Sequence, residues 1–244
     1  MLHEFELFSG SLHEINESKK LITTLNAHSF NTLHSDPNFR EAIKSSDLLL
    51  PDGISVVWAV RFLNGTNLKK IAGEELFYYE MQRIQKEKGR CFFLGSSEKT
   101  LNLIRKRAEK EYPELDIHFY SPPFKPEFSE EENQEMINAV NEIEPDVLFI
   151  GMTAPKQEIW AYKHYTRINA GHICCIGAVF DFYAGTVKRA PTWMISLGLE
   201  WLYRLLKEPR RLWRRYLIGN AIFVSHILKE KILINNKYKK LNPV

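Results

Sequence analysis

Polar side chains that could do acid–base chemistry follow apolar runs at several points of the sequence. Asp52 lies in a turn directly after the apolar run 48–50, and Thr24 and Asn26 stand at the end of the run 21–25. An aspartate at such a strand end could act as a general base, with the N-terminus of the next helix stabilising its ionised form. Asp is also a common helix cap, and the spacing alone favours that structural role for Asp52.

Two further segments carry features that suit an anionic ligand. Gly151 permits close approach of a ligand, and Pro155 suits the first turn of a helix whose free amides could bind phosphate. Asp181 stands among apolar and aromatic residues, where its carboxylate could accept hydrogen bonds from a base or a ribose. A structural aspartate whose hydrogen bonds are satisfied within the protein explains the same pattern equally well.

Several common catalytic signatures are absent from the sequence. No Walker P-loop and no G-x-G-x-x-G follows an apolar run, which weighs against a kinase, an NTPase or an ordinary NAD enzyme. No Asp-x-Asp pair, no histidine pair with metal-ligand spacing and no G-x-S-x-G turn is present. The cysteines, Cys91, Cys174 and Cys175, lie in apolar runs. We therefore predict no metal site, no cofactor and no disulfide.

Short apolar runs alternate with longer amphipathic segments along residues 1–190. The strand candidates are 5–8, 21–25, 47–50, 91–95, 116–120, 146–151 and 172–177. The helix candidates are 37–46, 54–63, 74–88, 97–111, 129–143 and 155–168. This alternation predicts an α/β fold with a mainly parallel sheet flanked by helices. Functional residues of such sheets lie beyond the carboxyl ends of the strands, which is where the polar residues above fall.

From residue 191 onward the pattern is helical and basic. Eleven Lys and Arg stand there against three Glu, whereas residues 1–190 carry 22 basic and 27 acidic residues. We therefore predict a core over 1–190 and a helical appendage over 191–244. A second helical run begins at Pro209, after one apolar stripe made of Trp193, Leu197, Trp201 and Leu205. The basic, Trp-rich and Tyr-rich mixture is typical of a membrane interface, and a helix pair packed on the body is the alternative.

Taken together, these segments resemble the WecG/TagA/CpsF family of bacterial glycosyltransferases. The resemblance spans roughly residues 20–217 and includes the basic, aromatic segment 200–216. The ordered motifs that carry it are Thr-Leu-Asn at 24–26, Asp-Leu-Leu-Leu-Pro-Asp-Gly-Ile at 47–54, Ala-Gly-Glu-Glu-Leu at 72–76, Ala-Pro-Lys-Gln-Glu at 154–158 and Gly-Ala-Val-Phe-Asp-Phe at 177–182.

The resemblance implies a Rossmann-like core and an inverting, UDP-sugar-dependent hexosyltransferase. The best-known members transfer N-acetylmannosamine to N-acetylglucosamine on undecaprenyl diphosphate, for wall teichoic acid, enterobacterial common antigen or capsule. For this chain it implies a UDP-sugar donor and a polyprenyl-diphosphate-linked acceptor. It also implies a cytoplasmic protein, held peripherally on the inner face of the plasma membrane through the appendage. No metal cofactor is expected.

The resemblance also assigns roles to particular residues. Asp52 would be the catalytic base, and Thr24, Asn26 and Gln157 would line the sugar and diphosphate pocket. Arginines of the appendage would grip diphosphate in place of a metal, and these are Arg204, Arg211 and Arg214. The nucleotide contacts would be Gly95, Gly151, Gly177 and Asp181. Members often carry Arg before the 72–73 turn, where this chain has Lys69 and Lys70, which lack the bidentate fork.

Alternatives to this activity stay open in the sequence. Side chains that only hydrogen-bond hydroxyls do not reveal the donor, so UDP-glucose or another UDP-sugar is a competing substrate. The non-enzyme alternatives are a nucleotide-binding scaffold and a basic nucleic-acid-binding module. The apolar stripe suits a membrane better than nucleic acid, so we expect no nucleic-acid partner. The stripe could also pack on the body or on a second subunit, which would make a homo-oligomer.

Overall fold

The computed structural model describes residues 2–241, with side chains up to residue 237. A six-stranded sheet lies at its centre, in the order β2-β1-β6-β5-β3-β4. The strands are β1 Lys20–Leu25, β2 Leu48–Pro51, β3 Arg90–Gly95, β4 Asp116–Tyr120, β5 Val147–Gly151 and β6 His172–Cys175. Every neighbouring pair is parallel. The predicted Rossmann-like α/β fold is therefore confirmed.

The helices of residues 2–241 cover both faces of the sheet and form the C-terminal segment. They are α1 Ala27–Thr32, α2 Pro37–Lys44, α3 Ile54–Asn64, α4 Gly73–Glu87, α5 Glu98–Glu111, α6 Glu130–Ile143, α7 Lys156–His164, α8 Val179–Tyr183, α9 Thr192–Ser196, α10 Glu200–Lys207, α11 Pro209–Trp213 and α12 Gly219–Leu241. A π-helical turn at Arg214–Ile218 joins α11 to α12 in one continuous helix. Helix α11 begins at Pro209, as predicted.

The apolar strand runs build a separate hydrophobic cluster on each face of the sheet. Phe93 and Phe149 point to the face covered by α4, α5 and α8, and their neighbours Leu94 and Ile150 point to the face covered by α6 and α7. Successive strand residues alternate in this way because the side-chain period of a strand is two. Runs without any polar residue are therefore the pattern that a sheet buried on both faces requires.

A third hydrophobic cluster ties the C-terminal helix to the body. Phe223 and Ile227 of α12 are buried together with residues of α1, α2 and α3, among them Phe30. The rings of Phe30 and Phe223 lie edge to face with centroids 5.3 Å apart. Helix α12 completes this cluster. The domain boundary proposed between residues 190 and 191 stays a prediction. Within residues 2–241 no helix combines the length and the apolar character needed to cross a bilayer.

Two sequence predictions of local structure are wrong. Residues 5–8 form no strand, because Phe5 is buried among the helices of the third cluster. The segment meets the edge strand β2 through one hydrogen bond, in which the Phe8 backbone amide donates to the Leu49 carbonyl at 2.9 Å. The stripe from residue 193 to 205 does not lie along one helix. Gly198 adopts φ +72° and separates α9 from α10, and a Cβ there would lie 2.7 Å from Ile54 of α3.

Candidate active site

The carboxyl ends of β1 and β2 bring Thr24, Asn26 and Asp52 together. The two strands pair in parallel, with Leu25 opposite Pro51, and the Asp52 amide donates to the Leu25 carbonyl at 2.9 Å. Thr24 lies one position further back and is partly exposed. Three residues that the sequence places in two separate segments therefore meet at the carboxyl edge of the sheet.

Asn26 joins this strand edge to the start of α1. Its Oδ1 accepts hydrogen bonds from the backbone amides of His28 at 3.0 Å and Ser29 at 3.1 Å. The Ser29 hydroxyl in turn accepts a hydrogen bond from the backbone amide of Asn26 at 2.8 Å. The Asn26 side chain also acts on Asp52, and it favours the ionised form of the carboxyl. A carboxylate can only accept, so the Asn26 Nδ2 is the group that suits it. One side chain thus caps a helix and orients the candidate base.

Asp52 does not cap the helix that follows it. Gly53 occupies the cap position of α3, without a side-chain hydrogen bond to the helix, and its φ is +103°. Glycine adopts this left-handed conformation without the strain that a Cβ would cause. The helix-cap role that spacing alone favours for Asp52 is therefore wrong, and its carboxyl is turned towards Asn26.

The surroundings of Asp52 raise the pKa of its carboxyl. Burial is the main cause, and the negative charge of Glu200 adds to it. Lys70, Arg189 and the Asn26 side chain act in the opposite direction and lower the pKa. A carboxylate with a raised pKa accepts a proton more readily than an ordinary aspartate, as a general base must.

An ion-pair bridge holds Glu200 near this carboxyl. Arg189 Nε lies 3.1 Å from Glu200 Oε1, and the same guanidinium pairs with Glu74 in the first turn of α4. Glu200 is the first residue of α10. The bridge therefore fixes the start of the appendage helix beside the candidate base.

Gln157 lies in the first turn of α7, after β5. Its Oε1 accepts from the Met152 amide at 3.2 Å, and its Nε2 donates to Glu158 Oε1 at 2.8 Å. The second carboxylate oxygen of Glu158 is buried with no hydrogen-bond partner among the described residues. Burial raises the pKa of Glu158 to about 7. Both polar atoms of Gln157 therefore contact protein groups, and its contact with a sugar stays a prediction.

The glycines assigned to the nucleotide lie at the ends of the central strands. Gly95 and Gly151 pair across β3 and β5, and a Cβ on Gly95 would lie 2.6 Å from the Gly151 carbonyl oxygen. A Cβ on Gly151 would overlap the Phe180 ring, so the missing side chain makes room for a protein ring. Gly177 follows β6 at φ +52°. Nucleotide contacts at these three glycines stay predictions.

Asp181 lies in the first turn of α8, next to these strand ends. Its Oδ1 accepts from the Thr186 hydroxyl at 3.3 Å, and its backbone carbonyl accepts from the amides of Thr186 and Val187. These bonds agree with the structural alternative for Asp181. They leave its second carboxylate oxygen available, so the nucleotide contact also stays a prediction.

Two of the three predicted arginines lie at α8. The Arg204 guanidinium lies 5.7 Å from the centroid of the Phe182 ring. The charge of Asp181 acts on Arg211, whose Nε also pairs with Glu208 at 2.6 Å. The Arg204 guanidinium thus lies beside the helix that follows β6, and the Arg211 guanidinium is held by Glu208.

Arg214 lies against the ring of its neighbour Trp213. It is exposed, and its guanidinium lies 5.3 Å from the centroid of the Trp213 ring. Cation–π contact with an exposed tryptophan suits a surface position. The catalytic role assigned to Arg214 by resemblance stays a prediction.

Known proteins and families match most of this chain. The pattern of the glycosyl transferase WecG/TagA/CpsF family matches residues 5–237. The chain belongs to this family. The match extends from the segment before β1 into α12, so it covers both the predicted core and most of the appendage. The family resemblance identified from the ordered motifs is confirmed, and the chain is a glycosyltransferase.

Two curated relatives of this WecG/TagA/CpsF glycosyltransferase come from Bacillus. Both are named N-acetylglucosaminyldiphosphoundecaprenol N-acetyl-beta-D-mannosaminyltransferase. The protein of Bacillus spizizenii is 30% identical over 196 residues, which are 80% of this chain and 74% of the relative. The protein of Bacillus subtilis is 30% identical over 211 residues, which are 86% of this chain and 80% of the relative.

Sequence reasoning named Lys70 only as a departure from the family pattern, and it missed Glu200 and Arg215 at this glycosyltransferase site. Lys70 and Glu200 act on the pKa of Asp52, and the charge of Asp52 acts on Arg215. Of the two lysines before the 72–73 turn, Lys70 is the one whose charge lowers the pKa of Asp52. Arg215 follows a site arginine, residue 211, by four positions, which places both on one helix face. That spacing is the signal that could have identified it.

Two positively charged side chains favour the ionised form of Asp52. Within residues 2–241 no three His, Cys, Asp or Glu side chains are grouped so that they could hold a metal ion. Lys70 and Arg189 act directly on Asp52. A reaction of the WecG/TagA/CpsF enzyme without a metal or cofactor stays a prediction.

Asn26→Asp is expected to keep the protein stable while shifting its pH dependence. Asp caps helices as well as Asn does, whereas Asn26→Ala is expected to cost about 0.5–2 kcal/mol of unfolding free energy. A second carboxylate beside Asp52 replaces the Nδ2 donor and raises the pKa of Asp52 further. The acid limb of the pH–rate profile should therefore move to higher pH in Asn26→Asp. Urea unfolding and the profile of UDP release check the two effects separately, and an unmoved limb would contradict the contact.

Proposed function

We propose that this chain transfers N-acetylmannosamine from a UDP-sugar to N-acetylglucosamine on undecaprenyl diphosphate, with inversion at the anomeric carbon. The observation that carries the proposal is Asp52, a carboxyl of raised pKa held by Asn26 at a strand end. The names of the two Bacillus relatives supply the sugar and the acceptor. No nucleic-acid partner and no metal cofactor enter the proposal.

The reaction follows from the position of the base. Asp52 accepts the proton of an acceptor hydroxyl, and that oxygen attacks the anomeric carbon from the face opposite UDP. The bond between the anomeric carbon and the diphosphate oxygen breaks, and UDP leaves with the bonding electron pair. Guanidinium groups stabilise the negative charge that grows on the diphosphate. Arg204 and Arg211 lie beside α8 for this role.

A donor panel tests this function. UDP release is measured with UDP-N-acetylmannosamine, UDP-N-acetylglucosamine and UDP-glucose, with a short-chain prenyl-diphosphate-N-acetylglucosamine as acceptor. We expect acceptor-dependent release with UDP-N-acetylmannosamine. Release with UDP-glucose instead would keep the mechanism and change the donor. Silence with every donor, in the presence of membranes, would contradict the proposal and favour a nucleotide-binding scaffold.

The appendage provides the membrane contact in this proposal. Exposed apolar side chains stand among the arginines and continue along the same helix, namely Trp213, Leu217, Ile218, Ile222, Val224, Leu228, Ile232 and Leu233. Four arginines stand between residues 210 and 215 of the same helix. Apolar and basic residues together favour an anionic lipid surface, where a prenyl-linked acceptor resides. We therefore place the enzyme on the inner face of the plasma membrane.

Leu217→Ser/Ile222→Ser is expected to weaken binding to anionic vesicles by at least about tenfold, because two apolar side chains leave the interface. Co-sedimentation with phosphatidylglycerol vesicles measures the binding. Leu103→Ser is the matched control, since Leu103 is an exposed leucine on α5 of the core. Equal binding of all three proteins contradicts the membrane contact. A loss of dimer in the double variant, seen by light scattering, would instead assign the face to a second copy.

A further inference from the structure

The residue that follows Gln157 in the first turn of α7 is a buried glutamate. Only 3% of Glu158 is exposed, and its Oε1 accepts a hydrogen bond from Gln157 Nε2 at 2.8 Å. Its other oxygen, Oε2, is buried and has no hydrogen-bond partner among the described residues. Gln157 is therefore the one side chain of those residues that hydrogen-bonds this carboxyl. A carboxyl buried in this way costs stability, so its presence calls for a functional reason.

Two contacts fix the orientation of the Gln157 side-chain amide. The Met152 backbone amide, 3.2 Å away, can only donate, so the atom that faces it is the carbonyl oxygen Oε1 of Gln157. The nitrogen Nε2 therefore faces Glu158, whose Oε1 accepts its hydrogen bond. A flipped amide would place Nε2 against the Met152 N–H and Oε1 against the carboxyl oxygen, so that both hydrogen bonds would be lost.

The oriented amide keeps one hydrogen for a ligand. An amide nitrogen carries two hydrogens, and Glu158 is the one acceptor that Nε2 has among the described residues. Gln157 is almost fully buried, so a second hydrogen without an acceptor is costly there. The amide lies beside Gly177, where a Cβ would be 3.4 Å from both Nε2 and Oε1. Gln157 follows β5 and Gly177 follows β6, which are strand ends assigned to the donor.

The backbone of Gln157 is also held in place. The Cys175 thiol of β6 donates to the Gln157 carbonyl at 3.8 Å, and the helix begins with the Ile159 amide donating to the Pro155 carbonyl at 3.1 Å. The remaining freedom is that of the Gln157 side chain, which the bond to Glu158 restricts. This bond does not depend on the charge of Glu158, because a neutral carboxyl that carries its proton on Oε2 still accepts at Oε1.

We propose that Glu158 is a positioning residue of this glycosyltransferase, which holds the Gln157 amide so that one Nε2 hydrogen binds an oxygen of the UDP-sugar donor. This inference rests on the proposed function. Glu158 acts through Gln157 and does not itself contact the substrate. The orientation of the amide, and not the stability of α7, is then the reason for a buried carboxyl with an unpartnered oxygen.

Equilibrium binding tests this role without requiring sugar transfer. Calorimetry measures the affinity of the wild type and of Glu158→Met for the three UDP-sugars of the donor panel. Glu158→Met keeps much of the side-chain volume without an oxygen acceptor, and we expect it to bind the preferred UDP-sugar at least about tenfold more weakly. Its midpoint of urea unfolding should equal or exceed that of the wild type, because an apolar side chain replaces a poorly partnered buried carboxyl.

A double-mutant cycle and two control variants separate positioning from a structural effect. Gln157→Met should lose as much affinity as Glu158→Met, and the double variant should lose no more than either one, because Glu158 acts through Gln157. Glu158→Gln keeps an oxygen acceptor and should stay within about threefold of the wild type. Glu80→Met removes a buried glutamate beside His172, at the start of β6, whose oxygens both have partners. It should lower the unfolding midpoint and leave the affinity unchanged.

The possible outcomes separate this inference from the proposed function. Additive losses in the cycle, or an unchanged affinity in Glu158→Met, overturn the inference while the transfer reaction stands. Equal losses in Glu158→Met and Glu158→Gln also overturn it, because the acceptor oxygen would then not matter. If the wild type binds a UDP-sugar without transferring it, and the losses of the two single variants do not add, the inference stands and the proposed function fails. A wild type that binds no UDP-sugar contradicts both.

Discussion

Asp52→Asn is expected to lower kcat by about 10²- to 10⁴-fold, because the amide cannot accept the proton of the acceptor hydroxyl. The affinity for UDP should change little, since the guanidinium groups that hold the diphosphate are intact. Initial rates of UDP release with the preferred donor measure the effect. A variant with at least half of the wild-type rate would remove Asp52 from the chemistry.

The pH–rate profile gives an independent check of the same residue. A base works in its deprotonated form, and the pKa of Asp52 is raised, chiefly by burial and then by Glu200. The acid limb of the profile should therefore lie at higher pH than an ordinary aspartate would give, and activity should be lost as pH falls through the raised pKa. This limb should vanish in Asp52→Asn, together with most of the rate.

Glu200→Gln is expected to change the pKa of Asp52 while the Asp52 side chain itself stays unchanged. Removing the negative charge of Glu200 lowers the pKa of Asp52. The acid limb should therefore move to lower pH, the opposite of the shift expected for Asn26→Asp. Movement of both limbs in the same direction would mean that another group titrates in this range.

Glu80→Ala is expected to reduce the free energy of unfolding by about 3–5 kcal/mol, the usual cost of breaking a buried ion pair. The side chain of Glu80 is fully buried. Its Oε1 accepts from His172 Nδ1 at 2.8 Å, and its Oε2 pairs with Arg83 at 2.9 Å. The second nitrogen of the His172 ring bonds the Asn16 carbonyl at 2.9 Å. Loss of Glu80 leaves His172 and Arg83 without their carboxylate partner.

Glu87→Ala is the matched control for this stability effect. Glu87 pairs with the same Arg83 at 3.4 Å, but its side chain is 48% exposed. Exposed ion pairs contribute little because water and salt screen them, so the loss should be under about 1 kcal/mol. Urea unfolding of both variants measures the difference. Equal losses would show that the Glu80 network does not stabilise the fold.

Periodicity alone determined the sheet and most of its helices. The run at 147–150 has no polar residue, and it forms β5, buried on both faces. Such a strand can be predicted from the sequence, because a strand that is buried on both faces consists of apolar residues throughout. The ordered motifs also determined the family, and four of the five lie at or just after a strand end, where the fold brings the functional residues together.

Local structure that depends on residues far away in the sequence could not be predicted from the sequence. The stripe at 193–205 has helical spacing, yet the chain breaks at Gly198, where it passes close to Ile54. The apolar residues 5–8 resemble a strand, but Phe5 is buried among helices. In each case a contact more than forty residues away overrides the local pattern, and that contact has no signature in the segment itself.

The sequence by itself determined the fold class, the family and the residue types of the site. Only the tertiary structure decided how each side chain is used. Spacing favoured a helix cap for Asp52, whereas the left-handed Gly53 takes the cap position and the carboxyl meets Asn26. Among neighbouring arginines, the fold leaves Arg214 exposed and buries the Nε of Arg215. Charges and hydrogen bonds act through space, so the groups that tune a base are set by folding and not by their distance along the chain.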